Sequence, residues 1–322
     1  MAVYTKLDHR NIEKILSNYS IGKLDKFEGI EEGIENSNFL IWVDKKKYIL
    51  TVYEKRVKKE DLPFFSELMS SLNNSNFKCP KPILNNHKNP ITDFNNKKLM
   101  IVSFIEGRPK VNLSPDNCKS IGNETAKLHE LTKNLKIQRR NDLSVNSWRK
   151  IFEQVKDKCI KIHKDLPKLI EDNLTDVEKN WPKNLPKGII HADLFHDNIF
   201  FKENNFSGII DFYFSCNDFY ALEIAICFNA LCFDGPKNNL SFNVTKAKSF
   251  IDGYNRIRKL SDDEKNCIKV LSQGAALRFL LTRVFDSINT VEGAIVKVKD
   301  PMEYLKRLEF HKNSKSFEDY FF

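Results

Sequence analysis

The feature that most constrains this chain is the segment His191-Ala192-Asp193-Leu194-Phe195-His196-Asp197-Asn198, set between two short apolar runs, Gly188-Ile189-Ile190 and Ile199-Phe200-Phe201. Short apolar runs bounded by polar residues read as buried strands. A polar loop held between two such strands is a rigid platform for its side chains. A third run, Gly208-Ile209-Ile210, leads into Asp211-Phe212. Any one Asp or Asn in a short loop is more often a turn former, through hydrogen bonds from its side chain to the backbone. That account explains the residues singly. It does not explain His191, Asp193, Asn198 and Asp211 together, each at the end of a strand.

The rest of the chain divides around this segment. Residues 6–18 pattern as a helix with Leu7, Ile12, Ile15 and Leu16 on one side. Strands follow at 24–29, 38–43 and 48–53, the last two joined by the polar turn 44–47. A helix starts near Pro63 with Asp61 as its cap, and Leu62, Phe65, Met69 and Leu72 recur at helical spacing. Pro80 and Pro82 force an extended segment. Residues 99–104 form another strand. Ser114-Pro115 then opens a helix by the cap-then-proline rule. A longer helix from about Ser147 carries Trp148, Ile151, Phe152, Val155 and Cys159 on its inner stripe. Residues 217–312 read as helices. The expected architecture is α+β in two lobes, a small β-rich one over residues 1–106 and a larger, mainly helical one over 107–322, a layout that suits a ligand bound between lobes.

Composition excludes several classes. No run of about 18 apolar residues occurs, so no membrane span is expected. The first ten residues include charges, and no apolar core of signal-peptide length follows from them. A cytoplasmic protein is expected. Seven cysteines, none in a C-x-x-C pair, read as reduced, buried thiols rather than a disulfide or zinc framework. The net charge of +9 comes from 52 basic against 43 acidic residues, and the basic ones are 41 scattered lysines and only 11 arginines. Arginine is the preferred fork for phosphate and bases, so no nucleic-acid partner is expected. A lysine-rich surface with a general attraction for anions accounts for the charge.

Asp193 and Asn198 have the spacing of the protein-kinase catalytic loop, H-R-D-x-x-x-x-N. In that loop the Asp accepts the proton of the attacking hydroxyl and the Asn holds magnesium. Asp211 takes the place of the kinase magnesium-binding Asp before Phe-Gly, with Tyr213 where the glycine would be. Phosphoryl transfer requires this arrangement, because charge on the phosphate oxygens needs a metal held by oxygen ligands and the nucleophile needs its own carboxylate. His191 is read mainly as a scaffold for the loop, Asp197 as a further metal-shell ligand or a loop former, and His196 as solvated. The stretch 28–39, with Gly29 and Gly33, suits a loop folded over ATP phosphates with backbone N–H donors. Glu67 reads equally as the ion-pairing glutamate of a kinase or as a surface residue. Ser103, Phe104 and Ile105 end the last strand of the first lobe, where backbone groups would read the adenine edge.

The chain resembles the homoserine kinases of the aminoglycoside-phosphotransferase-like superfamily, which has a protein-kinase-like fold. The resemblance rests on EGIEEGIENSNF (28–39), YILTVYEKRV (48–57), DLPFF (61–65), IVSFIEG (101–107), HADLFHDNIFF (191–201), GIIDFYFSCND (208–218), EIAICFNALCF (223–233) and ALRFLLTRVFD (276–286). HADLFHDN alone points to the superfamily; its combination with the other stretches points to this branch. It implies a small antiparallel sheet in the first lobe, ATP and Mg²⁺ as cofactors, and phosphorylation of the L-homoserine hydroxyl in threonine biosynthesis. It also implies Asp193 as base and Asn198 and Asp211 as metal ligands. Two departures stand out. Thr51 occupies the strand position of the kinase lysine, with Lys55 and Arg56 the nearest cations, and His196 stands where the branch commonly has proline.

Homoserine carries an ammonium, a carboxylate and one hydroxyl. Its carboxylate should prefer an arginine fork. Arg278, in an apolar helix, and Arg283 are the candidates, with a structural salt bridge as the alternative for each. Asp218 or Asn36 is expected to receive the ammonium. The rival functions are a kinase for choline or an aminoglycoside, and a non-catalytic nucleotide-binding protein. Choline would favour an aromatic cage and aminoglycosides an acidic cleft. Thr51 is the main support for the non-catalytic reading, and Asp193, Asn198 and Asp211 together oppose it.

Overall fold

Backbone sterics, caps and burial divide the sequence into helices and strands, which the computed structural model describes for residues 5–30, 36–54, 57–236, 239–289 and 299–321. The chain forms two compact units. One is Met1–Gly107 with Ser207–Tyr213; the other is Arg108–Phe206 with Phe214–Phe322.

In the first unit, α1 (His9–Leu16) starts later than its apolar pattern suggests. The Asp8 carboxylate accepts the Asn11 N–H at 2.7 Å and the Asn11 side chain returns a bond, a capping box that sets the first turn. The sheet has the order β1 (Leu24–Ile30), β2 (Ser37–Val43), β3 (Lys46–Val52), then β5 (Lys97–Ser103) beside β4 (Ile91–Phe94), with every pairing antiparallel. The turn between β2 and β3 has two residues, not four. Asp44 and Lys45 both have positive φ, 45° and 65°, the signature of a primed turn whose twist matches the strands. Lys46 and Lys47 therefore pair with Val43 and Trp42. Ile12, Ile15 and Leu16 of α1 bury with Phe39, Ile41, Val43, Leu50, Val52, Leu99 and Ile101. Leu50, Thr51 and Val52 are buried in succession, so the end of β3 is covered on both faces. The helix α2 (Leu62–Asn74) has Asp61 at its N-cap position, without a capping bond from the Asp61 side chain.

The second unit opens with β6 (Arg108–Pro109), which pairs with Phe200–Phe201. Ser114 caps α3 (Pro115–Thr132) by a capping box with Asn117. Next come α4 (Val145–Cys159), which buries Trp148, Phe152, Val155 and Cys159 and leaves Ile151 half-buried, and α5 (Leu166–Asn180). Three short strands follow: β7 (Lys187–Ile190), β8 (Ile199–Lys202) and β9 (Asn205–Ile209), which carries the chain into the first unit. The region expected to be wholly helical holds three more strands. Of these, β10 (Cys216–Phe219) pairs antiparallel with β7, and β11 (Phe233–Asp234) with β12 (Ser241–Phe242). The helix α6 (Tyr220–Leu231) is apolar on nearly every side and forms the centre of the unit. Around it lie α7 (Val244–Asn255), α8 (Asp262–Asn289) and α9 (Met302–Asn313). None of the described helices is long and apolar enough to cross a membrane.

Candidate active site

Residues 191–198 leave β7 at Ile190, which lies opposite Cys216 of β10, with both residues buried. The loop is then clamped by charge from two helices. Glu223 of α6, fully buried, accepts the backbone N–H of His191 and that of Ala192, the latter at 3.1 and 3.2 Å. Arg278 of α8, 4% exposed, donates from Nη1 to the Ala192 carbonyl at 2.7 Å. Ala192 has φ of 64°, a left-handed conformation that costs a non-glycine residue about 1–2 kcal/mol. Hydrogen bonds on both sides of Ala192 hold it there, the one from the Arg278 guanidinium being charge-assisted. The peptide bonds flanking Asp193 therefore have little freedom.

His191 makes a backbone contact within the loop, of the kind a scaffold would make. It is fully buried, and its Nδ1 accepts the Asp193 N–H at 3.3 Å. The Asn198 side-chain amide donates to the Asp193 carbonyl at 2.9 Å and to the Asp193 carboxylate at 3.1 Å. That orients the Asp193 carboxylate and turns the Asn198 amide oxygen away from it. Asp197 is exposed and 3.2 Å from Lys299, an exposed pair of little energetic weight. His196 is half-buried.

Burial pushes the Glu223 carboxyl up to about 7, against the backbone N–H bonds and Arg278, which favour its charged form. His129 Nε2 lies 4.0 Å from Glu223, but burial, helped by Arg258, holds the imidazole pKa well below its usual range. The contact is thus between a carboxyl and a neutral ring whose Nδ1 meets the Tyr254 hydroxyl at 2.8 Å.

The other expected site residues divide between the units. Arg283 is paired with Glu303 at 2.9 Å and donates to the Asp300 carbonyl. Asp218 accepts from Asn141 at 2.7 Å and from the Phe219 N–H, and burial pushes its pKa up. In the first unit Gly29 lies in β1 opposite Phe39, and Asn36 is buried and accepts the Glu54 N–H at 3.3 Å. Gly33, Lys55 and Arg56 lie outside the described residues. Ser103 ends β5 with its N–H on the Lys81 carbonyl and its hydroxyl accepting the Lys81 N–H. Phe104 has the Lys47 ammonium 4.9 Å from its ring centre. Ile105 crowds Gly208, where a Cβ would meet its Cγ2 at 3.0 Å. Glu67 is exposed on α2. Asp211 is exposed, with φ of 63°, and belongs with the first unit, whereas Asp193 and Asn198 belong with the second.

Sequence reasoning passed over Glu223, although a signal was present. A lone carboxylate in Ala221-Leu-Glu223-Ile-Ala-Ile-Cys227 must be buried, and a buried carboxylate must have a task.

Residues 26–260 match the model of the phosphotransferase enzyme family. A homoserine kinase of Xanthobacter autotrophicus is 44% identical over 320 residues, covering 99% of each chain. One of Mesorhizobium japonicum is 41% identical with the same coverage. The chain belongs to the homoserine kinase branch of this phosphotransferase family. Solved structures agree on the fold. The amicoumacin kinase hAmiN superposes with a TM-score of 0.71 at 12% identity, over 97% of this chain and 95% of that one. A choline kinase from Cryptosporidium parvum gives 0.66 at 18% identity, over 95% and 94%. The fold is the protein-kinase-like one.

The donors available for a metal are hard oxygens, the Asn198 amide and the Asp211 carboxylate. Among the described residues no group of three or more His, Cys, Asp or Glu could hold a metal ion. Hard oxygens are the donor type that magnesium takes, with one or two from protein and the rest from phosphates and water.

Proposed function

We propose that this chain transfers the γ-phosphoryl group of ATP to the hydroxyl of L-homoserine, giving O-phospho-L-homoserine and ADP, in threonine biosynthesis. The observation that carries this is the similarity to homoserine kinases, above 40% identity over 99% of each chain. Residues 1–106 act as the nucleotide-binding lobe and 107–322 as the catalytic and substrate-binding lobe. The seven cysteines are all free, which suits a reducing cytoplasm.

Asp193 orients the homoserine hydroxyl and takes its proton as the oxygen bonds to the γ-phosphorus. The bond from that phosphorus to the β–γ bridging oxygen breaks, and ADP leaves. Asn198 holds the Asp193 carboxylate through Nδ2, and its side-chain oxygen, with the Asp211 carboxylate, would hold magnesium. Bound magnesium supplies positive charge against the phosphate oxygens. Gly29 and Gly33 belong to the phosphate loop. Phe104 and Ile105 offer backbone groups to adenine, since the Ser103 N–H already serves Lys81. Of the two arginines, Arg278 is the better match for the homoserine carboxylate, because Arg283 is neutralised by Glu303. Asp218 suits the ammonium better than Asn36, since a desolvated carboxylate gains from a cation.

One assay tests the reading: ADP release from Mg-ATP with homoserine, choline, serine, threonine or kanamycin. Homoserine should be the best acceptor, and activity on another alcohol with none on homoserine would refute the substrate. Asp193→Ala should lose about 10²–10⁴-fold in kcat while still binding ATP. Near-wild-type turnover in that variant would remove Asp193 from the role of base.

A further inference from the structure

Two departures from the kinase pattern, Thr51 for the strand lysine and Tyr213 for the glycine after Asp-Phe, meet inside the first unit. Tyr213 is hydrogen-bonded to Thr51. Its hydroxyl also accepts from the Tyr53 hydroxyl at 2.9 Å. Thr51, buried in β3, donates in turn to the Asn38 side-chain oxygen at 2.8 Å, and the two residues face each other across β2 and β3. Tyr53, Tyr213, Thr51 and Asn38 are thus linked in one hydrogen-bonded side-chain network, whose members reinforce one another. The Tyr213 ring is also wedged edge-on against Tyr53, at 5.2 Å, and Phe65, at 5.6 Å.

The network ends beside two functional places. Asp211, two residues before Tyr213, is exposed and left-handed, a strained backbone that persists only where its surroundings impose it. Phe212 between them is 1% exposed. Asn38 belongs to the stretch 28–39 that also carries Gly29 and Gly33.

We propose that Tyr213 is a positioning residue whose hydroxyl, through Thr51 and Asn38, holds the Asp211 turn on the sheet so that the Asp211 carboxylate is set for the metal–nucleotide complex. A hydroxyl relay then stands where the general pattern has a lysine. The inference rests on Asp211 being a metal ligand, and the experiment separates the two ideas. Calorimetric titration with ADP is run with and without magnesium on the wild type, Tyr213→Phe, Thr51→Val, the double variant and Asp211→Asn. Tyr213→Phe keeps the ring and its packing. It and Thr51→Val should each weaken Mg-ADP binding about tenfold, or about 1.4 kcal/mol, and leave metal-free ADP binding unchanged. The double variant should be no worse than the weaker single one, since both remove the same bond. Asp211→Asn should weaken Mg-ADP at least as much. Unchanged Mg-ADP binding in Tyr213→Phe, or equal losses with and without magnesium, would overturn the positioning role while leaving Asp211 as ligand. Unchanged Mg-ADP binding in Asp211→Asn would overturn the ligand assignment, and the inference with it.

Discussion

Glu223 shows how a single residue can tie the site to pH. Its carboxyl stands at about 7 in the folded protein against an ordinary value of 4.5. The folded state therefore holds this proton more tightly than the unfolded chain. Stability is full below the unfolded value and falls as pH rises from about 4.5 to about 7. Glu223→Gln cannot ionise, so its thermal unfolding temperature should fall less than that of the wild type across this window. Parallel profiles for the two proteins would refute the assignment. Residue types and spacing made Asp193, Asn198 and Asp211 candidates in the sequence, because the first two share one loop and the third directly follows the Gly208-Ile209-Ile210 run. Glu223 and Arg278 act on backbone atoms of that loop from α6 and α8, and spacing carries no trace of such contacts.

At the scale of elements, the approach of α3 and α7 sets a sharper constraint than their apolar patterns. A Cβ on Gly122 would lie 2.0 Å from the Phe250 carbonyl oxygen, and one on Gly253 would lie 2.0 Å from that of Lys119. The helices touch backbone to backbone at this reciprocal pair, and a carbonyl cannot move aside as a flexible side chain can. Gly253→Ala should therefore destabilise the protein by about 1–3 kcal/mol, although alanine is the better helix former. Chemical denaturation would read this as a lower midpoint, and an unchanged midpoint would show that the helices separate freely. Where elements carry their own start signals they were legible: Ser114-Pro115 opened its helix as expected. The strand β10 was not, because four residues, Cys216–Phe219, become a strand only by pairing with β7.

At the scale of the molecule, the net charge of +9 favours encounter with anions. ATP is a multiply charged anion and homoserine a zwitterion. Raising ionic strength from about 0.05 M to about 0.5 M, which shortens the screening length severalfold, should raise the KM for ATP a few-fold and leave that for homoserine nearly unchanged. Equal changes in both constants would rule out general electrostatic attraction and point to altered catalysis. The division of the chain belongs to this scale too. Ser207–Tyr213 joins the first unit, with Ile209 donating to the Lys78 carbonyl and Ser207 to that of Glu106. The Asp211 turn thus folds with the sheet that Thr51 and Asn38 belong to.

The sequence by itself determined the α+β class, because strand periodicity and cap residues are encoded in neighbouring residues, and its resemblance over many separate stretches pointed to the homoserine kinase branch. Tertiary structure decided that a buried Glu223 and Arg278 clamp Ala192, and that Thr51 and Tyr213 meet. Those facts depend on side chains far apart in the chain arriving at one place, and packing alone selects which of the many possible meetings occurs.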